Sequence, residues 1–246
     1  MTSQVSLVHR VVHGAKIFVH RAGFDVTRET FKRRFVHALN QHGVDTALDI
    51  GANTGQFAAA LRRAGFRGRI ISVEPLRAAY DELSRHAAAD PDWVVQRAAV
   101  GATAGTLTMN IAANSVSSSP LPILDRHTDA APGSVYVGTE EVDATTVDEL
   151  VRQHSIVAET TLLKIDVQGY EKPVLDGAAA TLPQFAAVRT EMSLVPLYGG
   201  QTLMPDVLAY LGERGFDLWM FEPGFVEPAT GRLLQADGVF FPAATR

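Results

Sequence analysis

The sequence predicts an α/β protein built on a parallel, doubly wound sheet. The segment from Thr46 to Gly55 begins as a short apolar run, ends in a carboxylate and breaks into glycines before a helical pattern starts. Two further apolar runs, Arg69 to Val73 and Trp93 to Arg97, follow after stretches with helical periodicity. Strands that alternate with helices through short connections are typical of a parallel sheet.

The glycine turn after the first strand indicates where a ligand binds, because open α/β sheets bind ligands outside the carboxyl ends of their strands. Gly51 and Gly55 allow a sharp turn and a close approach to a ligand, and Asn53 or Thr54 is predicted to cap the next helix. A dinucleotide loop needs a second glycine where Asn53 stands, and the Gly-Lys-Ser/Thr of a phosphate-binding loop is absent. The turn therefore favours a ligand without phosphate, such as S-adenosylmethionine.

Carboxylates at two strand ends complete this predicted cofactor site. Asp49 suits the cationic methionine end of S-adenosylmethionine. Glu74, in the pair Glu74-Pro75, lies about 20 residues beyond the turn, where a carboxylate accepts both ribose hydroxyls in related folds. The third strand brings Gln96 to Ala98 beside the adenine. The alternative is a plain α/β unit in which Asp49 only satisfies the turn.

The chain before the first strand is predicted to be helical. Residues 4–22 form an amphipathic helix and Phe31 to Leu39 a second one, which gives a helical extension over residues 1–44 and a sheet domain over residues 45–246. Charges interrupt the apolar residues of the first helix, so it is not a transmembrane span, and it lacks the features of an ordinary signal peptide. We therefore expect a cytoplasmic protein whose membrane contact is at most peripheral.

An insertion follows the third strand, over residues 102–142. Apolar and polar residues alternate from Thr106 to Ile111, which predicts an exposed antiparallel strand. Ala112 to Pro122 is small and polar, and Asp125 to Gly138 is predicted to be irregular. Long loops of this kind select substrates in many enzymes, and a disordered connection is the alternative.

Regular structure resumes after the insertion. A capping box from Thr146 to Glu149 starts a helix. Two buried strands then place Asp166 and Glu191 at their carboxyl ends. The predicted elements after the capping box are the strands Leu162–Val167 and Ala187–Met192, a helix that begins near Pro205, and the closing antiparallel pair Phe216–Phe221 and Val239–Phe241.

Composition limits the remaining function classes. The chain has 246 residues, of which 46% are hydrophobic, enough for a sizeable core. Its net charge of −5 argues against a general nucleic-acid binder. It has no cysteine, which excludes disulfides, a thiolate nucleophile and a cysteine zinc site.

Four motifs, in this order, resemble the FkbM family of S-adenosylmethionine-dependent O-methyltransferases. They are Leu48-Asp-Ile-Gly-Ala-Asn-Thr-Gly55, Val73-Glu-Pro75, Leu163-Lys-Ile-Asp-Val-Gln-Gly-Tyr-Glu171 with Val174-Leu-Asp-Gly-Ala178, and Thr190-Glu-Met192. The resemblance runs from about Asp45 to the C-terminus. Gln168 stands where the family usually has glutamate, so a role that needs a carboxylate at this position does not carry over.

The resemblance implies a Rossmann-like, seven-stranded class I methyltransferase sheet with S-adenosylmethionine as cofactor. It also implies methylation of a hydroxyl on a sugar, glycolipid or similar secondary metabolite, and the alanine- and arginine-rich composition suggests an actinobacterial glycolipid pathway. The predicted cofactor-binding residues are Asp49, Gly51, Asn53, Gly55, Glu74, Pro75, Gln96, Ala98 and Asp166.

An alcohol is a weak nucleophile, so a base must take its proton as the new bond forms. Asp166 is the first candidate, because the end of the fourth sheet strand faces the methyl group in this fold, and Glu191 is the second. His127 and His154 are less favoured alternatives. The two carboxylates could instead bind Mg²⁺, which the sequence does not favour because no third ligand is evident.

Two other functions stay open at this point. A nucleotide-dependent oxidoreductase would use the same sheet, although Asn53 argues against its pyrophosphate turn. A non-catalytic S-adenosylmethionine-binding protein would keep the pocket without turnover. The Asn/Asp-Pro-Pro-aromatic tetrapeptide common in nucleic-acid base methylation is absent, so we expect a small-molecule or glycolipid acceptor, no nucleic acid, and leave a homo-oligomer open.

Overall fold

A long mixed sheet organises the computed structural model, which describes residues 31–243. The strands in this part of the chain are β1 (Thr46–Ile50), β2 (Arg69–Val73), β3 (Trp93–Gln96), β4 (Ala99–Val100), β5 (Gly105–Ala112), β6 (Tyr136–Thr145), β7 (Thr161–Ile165), β8 (Ala187–Ser193), β9 (Phe216–Pro223) and β10 (Gln235–Pro242). Seven of them form the main sheet in the order β3-β2-β1-β7-β8-β10-β9. All neighbours from β3 to β8 are parallel, and β10 runs antiparallel to both β8 and β9.

Helices cover both faces of this sheet. They are α1 (Phe31–Gln41), α2 (Gln56–Ala64), α3 (Arg77–Ala87), α4 (Asp125–Ala130), α5 (Val147–Gln153), α6 (Glu171–Asp176) and α7 (Met204–Gly212), with short 3₁₀ turns at Pro132–Ser134, Ala158–Thr160 and Leu182–Gln184. Helices α1, α2 and α3 contribute to the core on one face, and α5, α6 and α7 to the core on the other. The predicted seven-stranded, Rossmann-like α/β sheet is thus confirmed.

Alternation along β1 explains how one strand serves both cores. Ala47 packs into the α1–α2 side, whereas Leu48 and Ile50 pack into the α5–α7 side, as expected for side chains that point alternately to the two faces. Asp49 therefore points to the α1–α2 side, beneath the helices. This orientation decides its role in the site.

Two local predictions about helix starts have different outcomes. Thr146 caps α5, because its Oγ1 accepts a 3.1 Å hydrogen bond from the backbone N–H of Glu149. The predicted cap at Asn53 or Thr54 is wrong, since α2 begins after Gly55, which has φ of +90° and no side chain to offer. A Cβ at Gly55 would lie 2.9 Å from Trp93 and Leu83, so tight packing requires glycine here.

The predicted insertion lies outside the main sheet and has its own structure. Strand β6 pairs with β4 and β5 in a second sheet of three strands, and the exposed antiparallel strand near Thr106 is confirmed as part of β5. The prediction that Asp125 to Gly138 is irregular is wrong, because α4, a 3₁₀ turn and the start of β6 occupy it. Helix α4 has only 6 residues and buries only His127, so it carries no apolar stripe.

The predicted helix over residues 4–22 lies outside the described residues, and the domain boundary at residues 44 and 45 stays a prediction. Helix α1 buries Phe35, Val36 and Leu39 against the sheet. None of the helices between residues 31 and 243 has the length and hydrophobicity to cross a membrane.

Candidate active site

A cavity of about 310 Å³ opens at the carboxyl ends of β1, β2 and β7, the size range of small-molecule sites (about 300–1,000 Å³). The turn after β1, the end of β2, the loop after β7 and the insertion form its walls. The lining includes Gly51, Asn53, Glu74, Pro75, Ala98, Leu107, Met109, Ser115, Val116, Lys164, Asp166, Gln168 and Tyr170. We call this the first cavity.

The turn after β1 holds its shape through two residues with positive φ. Gly51 has φ of +74°, and a Cβ there would lie 1.9 Å from the backbone oxygen of Asp166, which no other residue could tolerate. Asn53 has φ of 47°, a conformation in which asparagine is one of the favoured residues. Its side-chain oxygen accepts a 2.9 Å hydrogen bond from the backbone N–H of Thr54, which stabilises the turn.

Glu74 connects the first two strand ends. Its Oε2 accepts a 2.8 Å hydrogen bond from the backbone N–H of Asn53, and its Oε1 accepts one of 2.9 Å from Leu76. The side chain lines the first cavity although the residue is only 4% exposed. Burial raises the pKa of Glu74 to about 7, against the opposing effect of these hydrogen bonds. Each carboxylate oxygen keeps acceptor capacity for a ligand hydroxyl.

Asp49 and Lys164 form a buried ion pair behind the cavity wall. Their Oδ1 and Nζ atoms are 2.9 Å apart, and the other oxygen of Asp49 accepts a 3.0 Å hydrogen bond from Ser72. The ammonium also donates to the backbone oxygen of Gly51 at 3.0 Å. Burial disfavours the charged amine, but the carboxylates of Asp49 and Asp166 raise the pKa of Lys164 overall. Lys164 therefore stays charged and fixes the glycine turn.

Asp166 lies directly after β7 and is held from two sides. Lys164 Nζ lies 3.7 Å from its Oδ2, and Gln168 Nε2 donates a 2.9 Å hydrogen bond to its Oδ1. The same amide nitrogen donates a 3.0 Å hydrogen bond to Glu191, so Gln168 bridges the two carboxylates that the sequence predicted as bases. Tyr198 in turn donates a 2.8 Å hydrogen bond to the amide oxygen of Gln168 and fixes its orientation.

Glu191 lies behind this bridge and is not part of the cavity wall formed by the described residues. Gln235 donates a further 2.7 Å hydrogen bond to it. Burial, followed by the charges of Asp166 and Glu171, holds the pKa of Glu191 well above its usual range. Of the two predicted bases, Asp166 is therefore the one in the wall of the first cavity.

The loop after β7 is supported from beneath by Glu171. Its Oε1 accepts hydrogen bonds from the backbone N–H groups of Val167 at 3.2 Å and Gly169 at 3.1 Å. Burial raises the pKa of Glu171 to about 7. These contacts hold the backbone of the loop after β7 in place.

The structure brings most of the predicted residues together at the first cavity. Those in its lining are Gly51, Asn53, Glu74, Pro75, Ala98 and Asp166. Four others lie outside this lining: Asp49 is fully buried beneath α2, Gly55 packs on Trp93, Gln96 hydrogen-bonds His154, and Glu191 lies behind Gln168. Asp49 points away from the cavity because alternate strand residues face opposite sides of the sheet.

The two histidines do not reach the first cavity. His127 is 3% exposed and packs against Tyr198 and Phe225, and burial lowers its pKa to about 4. His154 donates a 2.6 Å hydrogen bond from Nε2 to the side-chain oxygen of Gln96 at the carboxyl end of β3. Among residues 31–243 no group of three or more His, Asp or Glu side chains is arranged to hold a metal ion.

The charge of the first cavity fits a cationic ligand. Glu74 and Asp166 are its carboxylates, and Lys164 is the cationic side chain that the described residues place in its wall. Since Lys164 is paired with Asp49, no free positive charge in this wall remains for a pyrophosphate. A sulfonium and an ammonium would find favourable electrostatics here.

Lys164 and Gln168 are the residues that the sequence analysis missed. A signal for Lys164 was present, because a lysine inside the apolar run Leu-Leu-Lys-Ile must find a partner when buried. Lys164 and Asp49 also occupy paired positions on adjacent parallel strands. No comparable sequence signal predicts the Gln168 bridge, because the bridge depends on the positive φ of 55° at Gln168.

The strand order, the single antiparallel strand β10 and a cavity at the carboxyl ends of β1 and β2 define the class I methyltransferase fold. A family model described as the methyltransferase FkbM domain matches residues 49–218. This match covers more than half of the chain, and the chain belongs to the FkbM methyltransferase family. The predicted family is thus confirmed. No curated protein sequence matches the chain.

Solved structures with similar folds are distant in sequence. An FkbM methyltransferase from Methylobacillus flagellatus is 14% identical, with a TM-score of 0.47 over 81% of this chain, which spans only 44% of that protein. A TehB-like S-adenosylmethionine-dependent methyltransferase from Corynebacterium glutamicum is 14% identical, with a TM-score of 0.40 over 95% of this chain and 97% of that one. A Pyrococcus horikoshii protein, provisionally described as an RNA methyltransferase, is 12% identical, with a TM-score of 0.43 over 87% of this chain and 83% of that one.

Proposed function

We propose that the protein is an S-adenosylmethionine-dependent O-methyltransferase that methylates a hydroxyl of a sugar, a glycolipid or a similar secondary metabolite. The observation that carries the proposal is the acidic first cavity, with Glu74 at one end and Asp166 at the other. Family membership supports methyl transfer as the reaction class. The net charge of −5 favours such an acceptor over nucleic acid.

The residues of the first cavity divide the binding work between them. Glu74 accepts the ribose hydroxyls, and the backbone of Gly51 and Asn53 gives the ligand close access. Ala98 and Pro75 lie beside the adenine. Asp49 contributes indirectly, because it holds Lys164 and thereby the oxygen of Gly51 in place.

S-adenosylmethionine supplies a methyl group that its positive sulfur already activates. The acceptor oxygen forms a bond to the methyl carbon as the carbon–sulfur bond breaks, and the hydroxyl proton passes to Asp166. Alignment supplies much of the rate, since well-oriented groups reach effective molarities of about 10⁵ M or more. Lys164 and Gln168 keep the Asp166 carboxylate in position through the contacts at Oδ2 and Oδ1. We include no metal in this mechanism.

Calorimetry with S-adenosylmethionine and with NADH, each with and without Mg²⁺, tests this function. We expect binding of S-adenosylmethionine with a dissociation constant on the order of 1 μM and no binding of NADH. Mass spectrometry of rhamnosyl and fucosyl glycolipids incubated with enzyme then detects transfer of a methyl group. Binding of NADH alone would favour an oxidoreductase. Tight S-adenosylmethionine binding with no turnover on any hydroxyl acceptor would favour a non-catalytic binding protein.

A further inference from the structure

A second cavity, of about 230 Å³, lies beside the first on the sheet face that carries α1 and α2. Four residues line both cavities: Gln56, Phe57, Lys164 and Asp166. Asp166, the proposed base, is therefore at the junction of the two spaces. A hydroxyl in the second cavity and a methyl group in the first would approach each other at this carboxylate.

One wall of the second cavity is apolar. Helix α2 contributes Phe57, Ala60, Leu61 and Ala64, and α1 contributes Phe35. Phe35 is only 1% exposed, so the part of this wall that faces the cavity is formed by Phe57, Ala60 and Ala64. This wall offers a weakly polar surface to the C–H face of a ring.

The adjoining wall carries cations and carboxylates that nearly balance. Arg189 on β8 donates hydrogen bonds of 2.7 Å to Glu222 and 3.0 Å to Asp237. Its guanidinium carbon lies 5.3 Å from the ring centroid of Phe35 and 5.4 Å from that of Phe57, so these rings also hold the guanidinium in place. Lys164 is paired with Asp49, and the lining also includes Lys32. With the carboxylates of Asp49, Asp166, Glu222 and Asp237 beside these three cations, the wall offers hydrogen-bond donors and acceptors without a strong net charge.

Resting on the proposed function, we propose that the second cavity is the acceptor subsite. It binds an uncharged, polyhydroxylated ring, with the C–H face against Phe57 and Ala60 and the hydroxyl groups against Arg189 and Asp237. One hydroxyl then points at Asp166, which receives its proton. A hydroxyl both donates and accepts hydrogen bonds, so it can pair with guanidinium donors and carboxylate acceptors that lie side by side. A phosphate or carboxylate would instead be repelled by the negative charges of Asp237 and Asp166.

Saturation-transfer NMR on the protein loaded with S-adenosylhomocysteine tests the subsite, with methyl α-L-rhamnopyranoside and methyl α-L-fucopyranoside as probes. We expect signal transfer to the ring protons of at least one probe. Ala60→Trp fills the cavity and should abolish it, whereas Arg63→Trp, on the exposed side of the same helix, should leave it unchanged. Asp237→Asn, which keeps the shape of the wall, should weaken probe binding about tenfold, because it removes a charged acceptor.

Calorimetric binding of S-adenosylhomocysteine and thermal unfolding are measured for every variant. Failure of the unmodified protein to bind S-adenosylhomocysteine would count against the proposed function itself. Normal S-adenosylhomocysteine binding without any sugar signal would overturn the subsite alone, as would equal sugar binding by Ala60→Trp and Arg63→Trp or by Asp237→Asn and the unmodified protein. Preferential binding of the anionic methyl β-D-glucuronide would overturn the uncharged class of ligand.

Discussion

The two cavities beside Asp166 are built from different parts of the chain. The first is formed by four loops that each follow a parallel strand, together with the insertion. The second is formed by side chains of α1 and α2 that face strands β7, β8 and β10. Short motifs thus create the first cavity, whereas the tertiary packing of distant elements creates the second.

The two cavities also differ in charge. In the first, the carboxylates of Glu74 and Asp166 outweigh the paired Lys164. In the second, Arg189 is balanced by Glu222 and Asp237. The difference indicates that the first suits a cationic ligand and the second a neutral one. Substitutions that change one cavity and spare the other can separate these roles.

The largest effect is expected at the residue that both cavities share. Asp166→Asn keeps the size of the side chain and an oxygen that can accept from Gln168, but the amide cannot take a proton. We expect kcat to fall about 10²- to 10⁴-fold, the usual contribution of a general base. Calorimetry should show S-adenosylmethionine binding weakened by only about tenfold or less, because Glu74 and the rest of the first cavity remain. A loss in kcat of less than tenfold would show that Asp166 is not the base.

A smaller effect, confined to the first cavity, is expected for Glu74→Gln. Loss of the charged acceptor should weaken S-adenosylmethionine binding about 10- to 100-fold, since hydrogen bonds to charged groups contribute about 1.5–3 kcal/mol. Because burial raises the pKa of Glu74 to about 7, the carboxylate becomes ionised only as the pH rises through this value. Affinity in the unmodified protein should therefore increase between about pH 6 and pH 8, and calorimetry at several pH values should find no such increase in Glu74→Gln.

Glu171→Gln is the matched control for this pH dependence. Burial also raises the pKa of Glu171 to about 7. Its Oε1 accepts hydrogen bonds from backbone N–H groups beneath the loop, and the side-chain oxygen of a glutamine can accept the same hydrogen bonds. We expect this variant to keep the pH-dependent increase in affinity. If it lost the increase while Glu74→Gln kept it, the titrating group would be Glu171.

Most of the fold could be predicted because its signals are local. Apolar runs, glycines and the Thr146 capping box specify strands and helix starts within a few residues. Helix α4 was missed because six residues with a single buried histidine have no periodicity to detect. The cap at Gly55 was missed because contacts with Trp93 and Leu83, distant in sequence, determine that glycine.

The residues of the first cavity could largely be predicted from the sequence, whereas those of the second could not. Glu74 and Asp166 could be predicted because each follows directly after a strand, and Asn53 because it lies in the glycine turn after β1. The pair of Arg189 with Asp237 could not, since 48 positions separate these residues and only the antiparallel pairing of β8 with β10 joins them. Alternation along a strand shows which face of the sheet a residue points to. Which residue of another strand it contacts depends on the register between the strands, which the sequence does not show.

The smallest effect is expected at Gln168, whose amide nitrogen bridges Asp166 and Glu191. In Gln168→Glu a third carboxylate would lie between them and replace a donor with a negative charge. Repulsion between the like charges should displace the Asp166 carboxylate, so we expect kcat at pH 7 to fall about three- to tenfold. Gln168→Met removes the hydrogen bonds without adding charge and should lower kcat less. Equal kcat values for these two variants would show that Gln168 acts through its hydrogen bonds alone and that a negative charge at this position adds no further loss.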